Sequence, residues 1–426
     1  MFSFLEKFPD KRYLCTSKMK YIIIQGDGMA DRSVSALDGK TPLQSADTPW
    51  FDFLAKNGRS GLLKTIPEGF PPGSEVGNLS ILGYDVKKSF EGRGPLEAAS
   101  IGYEMTPDDL ALRCNIIALD NNNKIINHHG DNLTTEEGKE LIEFLNGKLG
   151  SERIHFYPGI QYRHLLIIKN GKKGLKLFPP HDNVGKNASE LLRESLEEAD
   201  SKPQEETMKL INDLIKKSWE VLKDHPINIE RIKNGKNPAN SIWPWSEGHR
   251  PEMTPLVESF PHIKGGVMIT AVDLLRGIGH YAGLKNVEVK GATGLADTNY
   301  EGKMQAAVDA LAENDFVFLH VEATDEASHD RDLNLKLRTI EFLDKRIVGP
   351  LIEATKDWEV PVRIALLPDH PTSVETGKHL DDPVPFVIYQ KGTASDNVMH
   401  FNEVEAKDGA FGLVQPTEFI SLFLTK

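Results

Sequence analysis

Cysteine is nearly absent from this chain. Its 426 residues hold two, Cys15 and Cys114. Two cysteines so far apart have neither metal-ligand spacing nor the density of a disulfide scaffold, and they suit a reducing cytosol. A long hydrophobic run is also missing, since no apolar stretch approaches the roughly 18 residues of a membrane span. Basic excess is missing too. The formal net charge is −13, with 63 Asp and Glu against 50 Lys and Arg. No Lys/Arg stripe is interleaved with aromatics, so nucleic acid is not the expected partner. There are no internal repeats and no Walker-type or kinase-type glycine loop. The opening stretch, residues 1–18, is too charged for a signal-peptide core and reads as a poorly ordered extension without chemistry. What these absences leave is a cytoplasmic enzyme or binding protein, with no nucleic acid, no membrane and an oligomeric state that composition does not address.

What is present is enough apolar sequence for large cores. Hydrophobic residues make up 39% and aromatics 8%, and the length favours two domains. Near the N-terminus, KYIIIQGDG (20–28) reads as a buried strand ending in a turn. A helix follows in TPWFDFLAKNG (48–58), with Thr48 as cap, Pro49 at the first position and Gly58 past the end. GLLKTIP (61–67) is a further strand. Far downstream come GVMIT (266–270), NVEVK (286–290), FVFLHVE (316–322), VRIALLP (362–368) and PFVIY (386–390), with helical patterns at 300–313 and 332–356. Apolar strands alternating with helices predict an α/β domain with a mostly parallel sheet. The middle of the chain has its own strands, LALRCNIIAL and RHLLIIK, and charged amphipathic helices near 193–225. It reads as an inserted α+β domain, residues 101–260, within a discontinuous core of residues 19–100 and 261–426.

Three of the predicted strands end in acids or histidines, where open α/β sheets gather their ligands. The first delivers Asp27. FVFLHVEATDEASHD delivers Asp325 and, four residues on, His329. VRIALLPDH delivers Asp369 and His370, and His379 precedes the last strand. Carboxylates brought this close repel unless cations lie between them. Two ligand sets follow: Asp325, His329 and His379 for one ion, Asp27, Asp369 and His370 for a second. Mixed carboxylate and imidazole donors suit Mn²⁺ or Zn²⁺ better than Ca²⁺. PPGSEVGNLSILGYD (71–85) places Ser74 in a Pro-Gly turn before a short helix. Such a serine is ordinarily a helix cap. Beside two metals it would instead be a metal-bound nucleophile toward phosphorus.

These residues carry a resemblance. GDGMAD (26–31), GKTPLQSADTP (39–49), PGSEVGNLSILGYD (72–85), GRGPLEAAS (92–100), YRHLL (162–166), PPHDNVGK (179–186), NPANSIW (237–243), GATGLADTNYEGK (291–303), TDEASHD (324–330) and PDHPTS (368–373) occur in order. From about Met19 to the C-terminus, the chain resembles the archaeal-type cofactor-independent phosphoglycerate mutases of the alkaline phosphatase superfamily. The resemblance implies an alkaline-phosphatase-like core with two divalent metals, Mn²⁺ first, with Zn²⁺, Co²⁺ or Mg²⁺ as alternatives. It implies an inserted substrate domain and a small phosphorylated substrate. It further implies interconversion of 3- and 2-phosphoglycerate through a phosphoserine at Ser74. Arg113, Arg163 and His164 would contact phosphate and carboxylate, with Asp182 and Lys186 as further contacts. Two positions depart from the pattern: Asn78 and Glu322 stand where the archaeal mutases tend to carry His and Lys. GSEVGNLS and NSIWPW look like a bacterial branch proposed to act as homoserine kinase. A homoserine kinase-like phosphotransferase, or a metal-dependent phosphatase, is therefore the alternative.

Overall fold

A computed structural model describes residues 19–425, so the expectation for residues 1–18 lies outside the described residues. Contacts divide the chain into two units. The first combines the chain up to Phe90 with the chain from Met253 onward, and the second is Glu91–Glu252. Both boundaries fall earlier than the expected 100/101 and 260/261. The reason on the N-terminal side is the helix Arg93–Ser100, which packs on the second unit's own sheet. A Cβ at Gly94 would lie 2.4 Å from the carbonyl oxygen of Ala111, so the helix backbone rests directly on a strand.

The first unit is built on one eight-stranded sheet. Its order is Leu413–Val414, Arg59–Leu63, Val384–Gln390, Val362–Leu367, Lys20–Gly26, Phe316–Val321, Gly266–Ile269 and Lys285–Val287. From Val362–Leu367 through to Lys285–Val287 every pairing is parallel, and Val384–Gln390 joins antiparallel. The central strand is buried at every position, as a continuous apolar run covered on both faces should be. Lys20 at its start is buried as well. It pairs with Asp315 at 3.3 Å and donates to Asn314 O at 3.0 Å.

Several local expectations meet a different physics. NVEVK forms a strand only over Lys285–Val287. The 332–356 segment is not one regular helix, because Leu333–Leu343 runs into a π turn, Asp344–Val348, before Gly349–Thr355. The helix Pro49–Asn57 does begin where the Thr-Pro signal puts it, but Thr48 makes no side-chain cap. Asp344 of that π turn reaches across to accept the N–H groups of Trp50 (2.9 Å) and Phe51 (2.7 Å). A carboxylate there satisfies two open donors and favours the positive end of the helix, which a threonine hydroxyl does less well.

In the second unit the long strand Asp109–Leu119 pairs antiparallel with Ile125–Asn127, Arg163–Lys169 and Ser241–Gly248, and Ile154–Tyr157 extends the sheet. The helices Thr135–Leu149, Ala188–Glu197 and Lys202–Leu222 bury Leu141, Leu145, Leu191, Ile211 and Ile215 against one face. Arg93–Ser100 lies on the smaller core of Ala98, Ala111, Leu165 and Ile167. An antiparallel sheet with its helices gathered on its faces is an α+β arrangement.

Candidate metal centre

The carboxyl ends of three adjacent parallel strands, 20–26, 316–321 and 362–367, deliver the acids. Asp27 is almost wholly buried, and Asp369 and His370 are fully so. Asp325 sits on the short helix Ala323–His329 directly after its strand, so His329, one turn on, faces the same way. A hairpin of Thr372–Ser373 against Lys378–His379 returns His379 to the group.

Ser74 is the first residue of the helix Ser74–Ile81, and the cap position is Gly73, with no side-chain cap. The hydroxyl is therefore not used on the helix. It lies 3.3 Å from both Asp27 Oδ2 and His370 Nε2. The helix can approach so closely because residue 77 is glycine: a Cβ there would lie 2.5 Å from the Asp369 carbonyl oxygen.

Two donor groups are drawn tight enough to hold cations. In one, atoms of Asp325, His329 and His379 lie within 4.8 Å of one another, and in the other, atoms of Asp27, Asp325 and His370. The first set is the one expected. The second places Asp325 where Asp369 was expected. Asp369 stands at its edge, with Oδ2 3.5 Å from His370 Nε2. Its Oδ1 accepts from the backbone N–H groups of Gly28 and His370, and its Oδ2 accepts from Asn78 Nδ2 at 3.1 Å.

The chemistry of these donors fits bound cations. His329 and His379 place their Nδ1 atoms against carbonyl oxygens, Gly377 O at 2.9 Å and Pro72 O at 3.2 Å. That contact fixes the Nδ1–H tautomer and turns the Nε2 lone pairs inward. The two Nε2 atoms then face each other at 2.9 Å, an arrangement that requires a proton or a cation between them. Asp27 Oδ1 is buried with no hydrogen-bond partner, which is costly for an anion unless a cation meets it. The electrostatics agree. Burial, followed by Asp369, Asp325 and Glu322, drives the Asp27 carboxyl well above the ordinary carboxylate range. Burial also pushes Asp325 upward, but its contacts with His329 and His379 outweigh that and hold it well below. The Asp325 contact raises His329 to about 9. Cation binding would remove both strains.

Two residues that organise the centre, His320 and Thr372, were not singled out from sequence, and Asn78 and Glu322 were noted there only as departures from the family pattern. His320 is fully buried in the strand Phe316–Val321. Its Nε2 is 2.9 Å from Asp27 Oδ2 and its Nδ1 2.9 Å from Thr270 Oγ1. Thr372 donates to Asp325 Oδ1 at 2.5 Å. A histidine inside an otherwise apolar strand, nine residues before the next site histidine, was the available signal. Asn78 is buried and also donates to Ser74 O at 2.9 Å, so it ties the serine turn to Asp369. Glu322 has a carboxyl lifted to about 8 by burial, then by Glu326 and Asp325.

On the second unit the structure separates the expected contacts. Arg113 falls within electrostatic reach of both Arg163 and Arg93. His164 does not join them. It is 2% exposed, its Nδ1 accepts from Gly159 N, and burial lowers it to about 3. A surface contact through His164 is therefore withdrawn: strand alternation turns it inward with Leu166 and Ile168. Asp182 is exposed, 3.7 Å from His181. Lys186 lines a separate depression with Asp120 and Glu190. No helix among the described residues is long and apolar enough to cross a membrane.

Acids and imidazoles grouped around an uncapped serine hydroxyl, at the carboxyl edge of an α/β sheet, define a candidate two-cation centre. Residues 55–228 match the 2,3-bisphosphoglycerate-independent phosphoglycerate mutase family. A curated protein of that name from Methanosarcina barkeri is 47% identical over 95% of this chain and 99% of its own. The chain therefore belongs to that family. Among solved structures, a protein from Pyrococcus horikoshii is similar with a TM-score of 0.80 at 31% identity, covering 96% of this chain and 97% of its own. A cofactor-independent phosphoglycerate mutase from Thermoplasma acidophilum is similar with a TM-score of 0.68 at 25% identity, covering 96% and 99%.

Proposed function

We infer that this protein interconverts 3-phosphoglycerate and 2-phosphoglycerate without bisphosphoglycerate, a reading supported by relatives named 2,3-bisphosphoglycerate-independent phosphoglycerate mutase. The observation that carries this reading is the Ser74 hydroxyl, free of any capping role and 3.3 Å from both Asp27 and His370. In the forward direction Ser74 Oγ forms a bond to phosphorus, and the phosphorus–O3 bond of the substrate breaks. The Oγ proton leaves toward the neighbouring acid or imidazole, and O3 gains one. The glycerate then presents O2: an O2–phosphorus bond forms as the Oγ–phosphorus bond breaks, the O2 proton leaves to a neighbouring acid or imidazole, and Ser74 Oγ regains a proton from the group that took it. Divalent cations supply charge neutralisation of the phosphoryl oxygens when bound, and the donor set of two aspartates and three histidines favours Mn²⁺ over the harder alkaline earths. The residues that hold them are Asp325, His329 and His379 for one, and Asp27, His370, Ser74 and Asp369 or the shared Asp325 for the other. Arg113 and Arg163 take the anionic ends of the substrate, since a guanidinium suits carboxylate and phosphate alike. The working compartment in this reading is the cytoplasm.

The homoserine kinase-like alternative is not favoured, because the relatives covering almost the whole chain carry the mutase name. One experiment tests both. The Mn²⁺-loaded protein is given 3-phosphoglycerate, and separately homoserine with ATP. Formation of 2-phosphoglycerate is expected in the first only, and Ser74→Ala removes it while metal content and the thermal transition stay nearly intact. Phosphohomoserine, or full activity of Ser74→Ala, overturns the reading. Asp325→Asn is expected to weaken Mn²⁺ binding in a calorimetric titration, and undiminished affinity removes it as a ligand.

A further inference from the structure

The second unit carries a run of rings and cations that the reading above uses only in part. The Arg113 guanidinium stacks on Trp245 at 4.6 Å from the ring centroid. His181 packs edge-on to the same Trp245 at 5.2 Å, and His128 lies 6.1 Å from His181. His128 also meets Tyr162 at 5.9 Å, and Arg163 lies over Tyr162 at 5.3 Å. Two arginines are thus joined through Trp245, His181, His128 and Tyr162. The frame beneath is fixed: Trp245 Nε1 donates to Asn115 Oδ1 at 3.0 Å, and Asn115 Nδ2 donates to His128 O at 3.1 Å.

The charges on this face do not balance internally. Arg113 Nε lies 2.8 Å from Glu97 Oε1, yet the N–H does not point along that contact and makes no hydrogen bond, although the residue is only 9% exposed. His129, beside His128, is committed to its own loop, because its Nδ1 accepts from Asn132 N at 3.0 Å. Among the described residues the His128 and His181 rings form no hydrogen bond of that kind, and the acid beside His181 is the exposed Asp182 at 3.7 Å. Burial and then the neighbouring His129 and His181 lower His128, so this ring is neutral when the face is bare. A bound anion reverses that balance.

We propose that His128 and His181 complete an anion-binding face with Arg113 and Arg163, and that a compact organic phosphate bearing a carboxylate binds there together with a proton taken up at His128. The identity of the anion as phosphoglycerate rests on the mutase reading; the proton-coupled face does not. The groups facing the pair are His129 and Tyr162, Arg163 beyond Tyr162, Asp182 beside His181, and Arg113 with Glu97 beyond Trp245. Uptake should therefore centre near neutral pH, where an imidazole of ordinary pKa about 6.5 can gain a proton as the anion arrives.

The test uses the metal-loaded full chain carrying Ser74→Ala. Binding of 3-phosphoglycerate is measured by calorimetry at pH 7 in two buffers of different ionisation heat, which yields the protons taken up. His128→Gln with His181→Gln keeps two hydrogen-bonding groups that do not titrate. Proton uptake is expected to fall toward zero relative to the parent, and the dissociation constant to rise roughly tenfold or more, the scale of one lost charge-assisted hydrogen bond. At pH 8.5 the two proteins should bind nearly alike. Equal uptake at pH 7 overturns the proposal. Should the double variant fail to fold, His128→Gln alone is expected to lose the uptake, and no loss overturns the proposal equally. Repeating the pair with inorganic phosphate separates the readings. Absence of mutase turnover in the wild-type protein defeats the mutase function, whereas the phosphate result still judges the face.

Discussion

Gly77 offers the sharpest quantitative test of the metal centre, because two effects of opposite sign meet there. It lies inside the helix Ser74–Ile81, where alanine ordinarily stabilises by about 1 kcal/mol over glycine. Here, however, an added Cβ would stand 2.5 Å from the Asp369 carbonyl oxygen, when real Cβ contacts essentially never fall below 3.0 Å. The obstacle is backbone, at the end of a central strand, and cannot rotate away. The helix must retreat by at least 0.5 Å (3.0 − 2.5). Overpacking of this kind costs about 1–3 kcal/mol, so Gly77→Ala should be neutral to about 2 kcal/mol less stable. The catalytic consequence is larger than the loss in stability. Ser74 is one turn earlier on the same helix and moves with it. A displacement of about 1 Å in a reacting group costs roughly 10²-fold, so half that distance should lower kcat about tenfold. Gly147 is the control, since it lies in the helix Thr135–Leu149 with nothing within 4 Å of an added Cβ. Gly147→Ala should gain about 1 kcal/mol and leave kcat unchanged. Urea unfolding and an enolase-coupled assay measure both. A Gly77→Ala protein that is more stable and fully active would refute the close packing of helix on strand and the fixed placement of Ser74.

Two further outcomes follow from buried charge. Burial raises the Asp344 carboxyl to about 7, against the N–H bonds from Phe51 and Trp50 that act to lower it. Its folded value exceeds the unfolded one near 3.9, so the stability it contributes is complete below that pH and is lost as pH rises through about 7. Asp344→Asn keeps the acceptor oxygen but not the titration. Its unfolding free energy relative to wild type should improve between pH 5 and pH 8, and an unchanged difference would refute the assignment. Lys336, fully buried, pairs with Asp31 at 3.1 Å and donates to Thr372 O at 2.6 Å. Lys336→Met should cost about 3–5 kcal/mol by stranding Asp31, and adding Asp31→Asn should recover part of it. A mild effect in the single variant, read by denaturant titration, would mean that Asp31 finds another partner.

What could be read before any coordinates was governed by whether a residue's environment is local. Asp27, Asp325, Asp369 and His370 follow largely apolar strands, and a parallel sheet must bring such ends to one edge, so their convergence was legible. His379 was harder, since it depends on a two-residue hairpin, and it was placed because it precedes a strand. Asp325 as the acid common to both donor groups could not be deduced, because its sharing depends on a fraction of an ångström across separate elements. His164 could have been read correctly from parity: it alternates with Leu166 and Ile168 on an antiparallel strand, and these are core residues. The Asp344 cap lay nearly three hundred residues from the helix it serves, beyond any local signal. His128, His181 and Trp245 come from three segments with no shared motif.

The serine at the head of the Ser74–Ile81 helix shows why local propensity and function diverge at this site. Serine before a helix normally turns its hydroxyl back onto the second or third backbone N–H, and that use would silence it as a nucleophile. Here the helix begins one residue earlier in register, so glycine occupies the cap and serine the first turn. The N–H groups of Val76 and Gly77 find Gly73 O instead, which leaves the hydroxyl to Asp27 and His370. Gly77 then lets the first turn lie against the strand that carries those ligands, and Asn78 clamps it there through Asp369 and Ser74 O. Shifting the cap by one residue, without altering the helix, is thus enough to turn the serine hydroxyl from the helix to the Asp27–His370 cluster. The same sequence with an alanine at 77 would be expected to form the helix with its serine displaced from the site, and a serine at 73 to form it with a side-chain cap.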